Sequence, residues 1–205
     1  MVSSPEFLLI TGARQVGKST ACLRAVRRMQ KAGLSVSGLS TTRTGPHDLE
    51  VTEIHTGETY PLTGPFGEQE RAGNRHGAQD FRPLHFNMLP QAMARSERAL
   101  HTAFPTEVLL LDEIGPLELK RKEGWFGAID LLQREQYEVA IIVVRLELLG
   151  DLVSVLPGSW FRLLHITVAN RDSVVEQLVS EALAACASRR ELTGTSTRGL
   201  AQGEG

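Results

Sequence analysis

The segment from Gly12 to Ser19 has the residue types and the spacing of a phosphate-binding loop. It reads Gly-Ala-Arg-Gln-Val-Gly-Lys-Ser and matches the pattern Gly-x-x-x-x-Gly-Lys-[Ser/Thr]. Glycines let the backbone wrap closely, so that successive N–H groups point at phosphate oxygens, and a helix that begins at Lys18 directs its positive end at the same anion. We predict that the Lys18 ammonium reaches the β- and γ-phosphates and that the Ser19 hydroxyl coordinates Mg²⁺. The residues predicted to contact the nucleotide are Gly12, Ala13, Arg14, Gln15, Val16, Gly17, Lys18, Ser19 and Thr20.

Two adjacent acids, Asp112 and Glu113, follow an aliphatic run over residues 108–111. An acid at the C-terminal end of a buried strand can hold Mg²⁺ beside Ser19. Because successive side chains of a strand point to opposite faces, Glu113 should point differently from Asp112 and polarise a water in line with the γ-phosphate. We therefore predict that Asp112 supports the metal and that Glu113 is the general base.

The transfer of a γ-phosphate also needs a cation for the charge that develops on it, and this cation is commonly an arginine. The candidates are Arg14, Arg43, Arg71, Arg75 and Arg171. We favour Arg43 and Arg171 as catalytic residues because both should lie at the C-terminal ends of strands, where ligands bind in open α/β sheets.

The elements that must position these residues alternate between strands and helices. Apolar runs predict strands at 7–11, 34–42, 108–112, 138–144 and 164–168. Helical spacing predicts helices at 18–32, 91–102 and 125–134, and a last helix that begins near Ser173, where Ser173 and Glu176 fit a capping box. The alternation predicts an α/β fold of three layers, α/β/α, with a mostly parallel central sheet. A small β-hairpin insertion is predicted over 49–62, after the second strand, with Thr56-Gly57 at its turn.

Two segments lack this periodicity. Residues 63–88 are rich in Gly, Pro, Arg and His, and a loop of this length is usually functional or mobile. Residues 189–205 contain little that a core could bury, so we predict a disordered C-terminal tail. The folded domain is then expected to cover residues 1–188.

Composition and charge limit the possible classes of function. The chain has 205 residues, 41% hydrophobic and 22% charged, which suits one globular domain. Its 22 Lys and Arg against 24 Asp and Glu give a net charge of −2, which argues against a nucleic-acid-binding protein. The longest aliphatic run, residues 139–144, is far shorter than the ~20 residues that span a bilayer. Since no secretory signal is found, we expect a cytoplasmic monomer in which Cys22 and Cys186 are buried packing residues.

Several segments together resemble the cancer-related nucleoside-triphosphatase family, small P-loop NTPases related to thermophilic nucleoside triphosphate hydrolases. The matching segments are residues 10–20, 38–43, 56–58, 111–119 and 168–172. The most specific of them is Asp-Glu-Ile-Gly-Pro-Leu-Glu-Leu at 112–119, and the resemblance extends from residue 7 to about residue 186. The chain departs from the family at Arg14-Gln15, where the family usually carries Pro-Gly, and in the segment that follows Arg43.

The resemblance implies a compact P-loop NTPase fold and Mg²⁺-dependent hydrolysis of nucleoside triphosphates to the diphosphate and phosphate, with broad base tolerance. It also implies that Lys18 and Ser19 bind phosphate and Mg²⁺, that Asp112 supports the metal, and that Glu113 activates water.

The residues also leave three other functions open: a GTPase switch, a kinase and a nucleotide-binding module without catalysis. A GTPase switch is compatible with Asp-Glu-Ile-Gly at 112–115, but the chain has Asn170-Arg171-Asp172 where a guanine-binding Asn-Lys-x-Asp would be needed. A nucleotide or small-molecule kinase could use Glu113 and residues 63–88 to hold an acceptor, because acceptor pockets have no sequence signature. A nucleotide-binding module without catalysis would have no use for Glu113.

Overall fold

The computed structural model describes residues 5–65, 86–134, 136–158 and 160–198, with the backbone alone at Glu113 and at residues 192–198. Most of the long loop predicted at 63–88 lies outside the described residues, and so do the candidate arginines Arg71 and Arg75.

Within the described residues, seven strands form one sheet. The strands are β1 (Glu6–Gly12), β2 (Val36–Arg43), β3 (Leu49–Glu53), β4 (Thr59–Pro61), β5 (Val108–Ile114), β6 (Val139–Val144) and β7 (Phe161–Ile166). Their order across the sheet is β4-β3-β2-β5-β6-β1-β7. Strands β2, β5, β6, β1 and β7 are parallel, so their C-terminal ends meet at one edge. The hairpin β3–β4 is antiparallel and extends the sheet beside β2, which confirms the predicted insertion.

Helices cover both faces of the sheet and make the three predicted layers. The described helices are α1 (Lys18–Lys31), α2 (Pro90–Thr102), α3 (Phe126–Gln133), α4 (Leu149–Val155) and α5 (Arg171–Arg198). Strand β6 is buried along its whole length, as expected for a parallel strand with helices on both sides. Alternate residues of β1 enter two separate cores: Leu8 and Ile10 pack with α1 and α5, and Phe7 and Leu9 pack with α2, α3 and α4.

Helix α1 forms because its apolar residues recur at helical spacing. Cys22, Val26 and Met29 are buried against the sheet, and both cysteines of the chain are free and buried as predicted. The polar side of α1 faces α5, where Arg28 forms a two-pronged ion pair with Glu176.

The start of α5 differs from the prediction. The helix begins at Arg171 rather than near Ser173, and the Ser173 hydroxyl donates to the carbonyl of Asn170. The capping box is therefore wrong: the Glu176 carboxylate, which would close it, pairs with Arg28 across the helix interface instead.

The C-terminal end of α5 also differs. Residues 189–198, which we predicted to be disordered, continue the helix in the structure. Two long-range contacts lie at the beginning of this stretch: Arg189 pairs with Glu138 at 2.7 Å, and Arg190 pairs with Glu107. Residues 199–205 of the predicted tail lie outside the described residues.

Sequence periodicity also missed three short helical elements. These are helix α4, a 3-10 turn over Leu146–Leu148 before it, and a π-helical turn over Leu117–Arg121, shortly after β5. All three are too short to show a clear apolar period. Among the described residues, no helix combines the length and the apolar character needed to cross a membrane.

Candidate active site

The loop between β1 and α1, which we call the cradle because its motif predicts phosphate binding, turns sharply into the helix at Gly17. Gly17 has a φ of 94°, a left-handed value that glycine adopts without steric cost, and α1 begins at the next residue. The Lys18 ammonium turns back over the loop and donates to the carbonyls of Ala13 at 2.9 Å and Gly12 at 3.1 Å. The charge that we predicted to bind phosphate is thus held at the mouth of the loop.

The side chains of the predicted nucleotide-binding residues do not all face solvent. Ala13, Arg14 and Gln15 are exposed, and so is Thr20, while Ser19 is half-buried in the first turn of α1. Val16 points inward and packs in the core between the sheet, α1 and α5. Residue 16 can therefore offer a ligand only its backbone, which is how a phosphate cradle uses such a position.

Arg171, one of the two favoured arginines, lies against this loop. It is the first residue of α5, and a Cβ atom built on Gly17 would lie 2.7 Å from Nη1 of Arg171. The end of β7, which precedes Arg171 in the chain, also lies beside the loop, because Ile166 pairs with Gly12. The sheet therefore brings Arg171 beside the cradle, as the prediction from strand ends requires.

Arg43, the other favoured arginine, is the last residue of β2 and faces the loop across an open cavity of about 530 Å³. The cavity is lined by Gln15, Arg43, Thr44, Gly45 and Pro46. The Arg43 guanidinium donates to the carbonyls of Gly45, at 2.9 Å, and Pro46, and it lies 5.3 Å from the centroid of the Phe86 ring. Two nitrogens of the guanidinium, Nε and Nη2, are thus engaged by its own turn.

Asp112 is buried on β5, with 2% of its surface exposed. Its Oδ2 atom accepts hydrogen bonds from the Ser40 hydroxyl at 2.8 Å and from the Thr41 backbone N–H at 3.3 Å. Both donors lie on β2, the neighbouring parallel strand, so the sheet itself fixes the orientation of this carboxylate.

The pairing of β5 with β6 is irregular at the two acids. Leu111 pairs with Ile142 and Ile114 pairs with Val144, so β5 has one more residue than β6 over this stretch. Such bulges redirect side chains and are frequent beside active sites. The side chain of Glu113 lies outside the described residues, so its direction stays a prediction.

The charges of Asp112 and Lys18 act on the same buried group. Burial raises the pKa of the Cys22 thiol well above its ordinary value, and the negative charge of Asp112 raises it further. A backbone hydrogen bond and the positive charge of Lys18 lower it in part. Cys22 follows Ser19 by three residues on α1, so the first turns of that helix lie within the field of both charges.

Sequence reasoning missed three residues that form hydrogen bonds at or beside the two acids: Ser40 and Thr41 bond Asp112, and Glu118 accepts from the N–H of Gly115. Ser40 and Thr41 were recognised only as part of a matching segment, and Glu118 only as part of the Asp-Glu-Ile-Gly-Pro-Leu-Glu-Leu stretch. All three are buried polar residues. For Ser40 and Thr41 the available signal was weak, because β2 also contains Ser37 and Thr42 and nothing in the sequence separates the four hydroxyl residues.

Comparison with known proteins identifies the family. The family model described as NTPase matches residues 7–179. The nucleoside-triphosphatase THEP1 of Methanopyrus kandleri is 27% identical over 190 residues, which cover 87% of this chain and 96% of that protein. The protein of the same name from Hyperthermus butylicus is 26% identical over 190 residues, with 92% and 97% covered.

Two solved structures share the fold. The crystal structure of THEP1 from Aquifex aeolicus has a TM-score of 0.60 at 16% identity and covers 86% of this chain and 98% of its own. The solution structure of a human cancer-related nucleoside triphosphatase has a TM-score of 0.64 at 18% identity, with 88% and 98% covered. These similarities confirm the P-loop NTPase fold. Because the family model spans most of the chain, the chain belongs to the NTPase family, as its motifs predicted.

Proposed function

We propose that this chain is a Mg²⁺-dependent nucleoside-triphosphatase that hydrolyses nucleoside triphosphates to the diphosphate and phosphate, with broad base tolerance. The observation that carries the proposal is the position of the Lys18 ammonium, held over the carbonyls of Gly12 and Ala13 in a loop whose Gln15 lines an open cavity. The names of the relatives from Methanopyrus kandleri and Hyperthermus butylicus support hydrolysis, and they specify no base.

Binding of the triphosphate rests on the backbone as much as on side chains. In a loop with this motif the N–H groups of residues 13–19 and the positive end of α1 are expected to face the polyphosphate together. Lys18 adds a full positive charge near the β- and γ-phosphates. Arg14 is exposed on the loop and has no role in the hydrolysis step that we propose.

The residues present fit a Mg²⁺ ion. Mg²⁺ prefers oxygen ligands and commonly keeps several waters while one or two protein oxygens and the substrate phosphates complete its shell. The Ser19 hydroxyl at the start of α1 and the Asp112 carboxylate, held by Ser40 and Thr41, supply such oxygens. When bound, the ion would neutralise charge on the phosphate oxygens.

Hydrolysis then needs a base and a cation. In the proposed step the oxygen of a water attacks the γ-phosphorus, Glu113 takes the proton, and the bond from the γ-phosphorus to the bridging oxygen breaks. For the assisting cation we favour Arg171 over Arg43. The Arg171 guanidinium lies beside Gly17 of the cradle. The Arg43 guanidinium instead donates to the carbonyls of its own turn.

Broad base tolerance is supported by the contacts of Asn170. Its side-chain oxygen accepts hydrogen bonds from the Thr167 N–H and hydroxyl, and its side-chain nitrogen donates to the His165 carbonyl. The amide is therefore engaged in its own turn and not directed at a base. Val168 in the same turn is exposed and offers an apolar contact that does not distinguish bases. This arrangement also disfavours a guanine-specific switch.

The experiment is a phosphate-release assay with ATP, GTP, CTP and UTP, with and without Mg²⁺ and with no acceptor added. We expect release from all four triphosphates that depends on Mg²⁺. Lys18→Ala should abolish triphosphate binding, whereas Glu113→Gln should keep binding and lose hydrolysis because it preserves size but removes the base. In the same assay Arg171→Ala should lower kcat more than Arg43→Ala does.

Three results would contradict parts of this proposal. Full turnover by Glu113→Gln would remove the base assignment. Phosphate transfer only when an acceptor is present would favour a kinase. Strong preference for GTP in competition with ATP and CTP would favour a switch. We further propose a cytoplasmic monomer that does not bind nucleic acid; sedimentation and a filter-binding assay would test the last two properties.

A further inference from the structure

The Glu118 carboxylate is buried between the end of β5 and the start of α3, with 6% of the residue exposed. Its Oε2 atom accepts a hydrogen bond from the backbone N–H of Gly115 at 3.0 Å, and Oε1 accepts one from the N–H of Trp125 at 3.1 Å. Glu118 lies in the π-helical turn over Leu117–Arg121, so its two oxygens join the first and last parts of the connection from β5 to α3.

The connection from β5 to α3 leaves space for the Glu118 carboxylate at Gly124. Gly124 has a φ of 68°, and a Cβ atom at that position would collide with Oε1 of Glu118. Glycine at 124 thus satisfies both a left-handed backbone and the space that the carboxylate occupies. A buried carboxylate is costly unless it is hydrogen bonded, and here the backbone N–H groups of Gly115 and Trp125 supply the bonds. An apolar side chain would leave both N–H groups without this acceptor, so the acid fixes the backbone at the two ends of the connection rather than only filling space.

The backbone that Glu118 fixes lies next to the two acids of β5, Asp112 and Glu113. Gly115 directly follows β5, and the register irregularity that contains Asp112 and Glu113 ends at Ile114. Asp112 is anchored independently by Ser40 and Thr41 on β2. The hydrogen bond from Gly115 to Glu118 anchors the backbone on the other side of Glu113.

We propose that Glu118 is a positioning residue for hydrolysis. It holds the backbone at the exit of β5 and so sets the direction of Glu113, without contacting the nucleotide. This inference rests on the proposed function, because it assigns Glu113 as the base that must be aimed.

Glu118→Gln is the test variant. Glutamine keeps the size of the side chain but sets an NH₂ group against one of the two N–H donors, so one hydrogen bond is lost. We expect kcat to fall by about 100-fold, as small misplacements of reacting groups can do, while KM and the affinity for a non-hydrolysable triphosphate analogue change by less than about twofold. The pH dependence of kcat should keep its shape, because Glu118 exchanges no proton in the reaction.

Glu53→Gln is the matched control. Glu53 is also buried, with 5% exposed, and also accepts hydrogen bonds, from Arg95 at 3.0 Å and from the Thr56 hydroxyl at 3.2 Å. It lies in the hairpin, on β3, away from the cleft residues. We expect this variant to unfold at lower denaturant concentration and to keep the wild-type kcat.

The outcomes separate the two proposals. If the wild type releases no phosphate, the proposed function fails and this inference fails with it. If the wild type is active and folded Glu118→Gln keeps its kcat, or raises KM alone, only the inference is overturned. The same holds if Glu53→Gln lowers kcat as much as Glu118→Gln does. Should Glu118→Gln not fold, Glu118→Asp replaces it in the test. Aspartate keeps the charge but is one methylene too short to reach both N–H groups. A lower kcat with unchanged KM would support the inference, and an unchanged kcat would overturn it.

Discussion

At the scale of single residues, Gln15 holds a backbone conformation that suits glycine better than glutamine. It lies in the phosphate loop with a φ of 59°, in the left-handed region, and it is one of two non-glycine residues with positive φ in the described part of the chain. A side chain in that region costs about 1–2 kcal/mol, because Cβ approaches the following carbonyl oxygen. The family resembled by the sequence usually carries glycine here.

We expect Gln15→Gly to stabilise the protein. Relief of the steric cost outweighs the larger entropy that glycine gives the unfolded chain, about 0.5–1 kcal/mol, so the net gain should be about 0.5–1 kcal/mol. For a chain of this size the gain corresponds to about 1–4 °C in Tm. Urea unfolding followed by circular dichroism measures it. Arg14→Gly is the control, since Arg14 has no positive φ and should lose stability; a gain in both variants would contradict the strain argument.

The residues predicted from sequence are those whose roles follow from neighbours in the chain. Lys18 and Ser19 belong to one contiguous motif, and Asp112 ends one aliphatic run, so local spacing was sufficient to propose roles for them, and those roles stay predictions. Ser40 was missed as an anchor because its partner Asp112 lies 72 residues away. Contacts of this kind depend on strand order, and no local pattern showed that β2 and β5 are neighbours.

At the scale of elements, the same distinction explains the errors at α5. Its position after β7 was predicted, but the Ser-x-x-Glu pattern indicated a start two residues too late, since the acid is engaged by Arg28 on another helix. Its C-terminal part has little apolar surface, so composition predicted disorder. Ion pairs of Arg189 and Arg190 with carboxylates at the N-terminal ends of β6 and β5 instead connect the beginning of this part to the sheet.

Glu107 joins α5 to two strands, and we expect its contribution to depend on pH. Its Oε2 atom accepts from the Ser35 N–H at 2.8 Å and the Ser35 hydroxyl at 3.1 Å, and Oε1 pairs with Arg190. Burial alone would raise the pKa of Glu107, but the hydrogen bonds from Ser35 and Arg190 outweigh it and lower the pKa below its ordinary 4.5. Because the pKa is lower in the folded protein, the stabilisation is present above about 4.5 and is lost as the pH falls through the folded value.

Glu107→Gln should therefore lose about 1–2 kcal/mol of stability near neutral pH, and the difference from wild type should shrink as the pH is lowered from about 6 to about 3. Urea unfolding across that range measures the difference. Glu147→Gln, at an exposed carboxylate after β6, is the control and should match the wild type throughout. A constant difference at all pH values would show that the charge of Glu107 is not what stabilises the end of α5.

At the scale of the whole molecule, the two cores share one sheet, and the phosphate loop begins on the strand between them. The core under α1 and α5 contains Cys22 and Cys186, and the core under α2, α3 and α4 contains Trp125. Strands β1, β5 and β6 contribute side chains to both cores. If these strands separate, both cores are therefore disrupted together. We therefore expect the domain to unfold in one transition.

Two probes on opposite faces can test this. Trp160→Phe removes an exposed tryptophan and leaves Trp125 as the only one in the chain. Burial raises the pKa of both thiols, of Cys186 to about 11. Since the thiolate is the reactive form, neither cysteine should react rapidly with a thiol reagent at about pH 8 until its core opens.

Tryptophan fluorescence and thiol labelling should give the same urea midpoint. A non-hydrolysable triphosphate with Mg²⁺, at a concentration 100 times its Kd, should raise the free energy of unfolding by about 2.7 kcal/mol and move both midpoints to higher urea together. The reason is that a ligand that binds only the folded state stabilises every part that unfolds with the site. Lys18→Ala is the control and should show no shift. Thiol labelling at a lower urea concentration than the fluorescence change would mean that the α1–α5 layer opens alone, and triphosphate binding would then protect the cysteines without stabilising the core around Trp125.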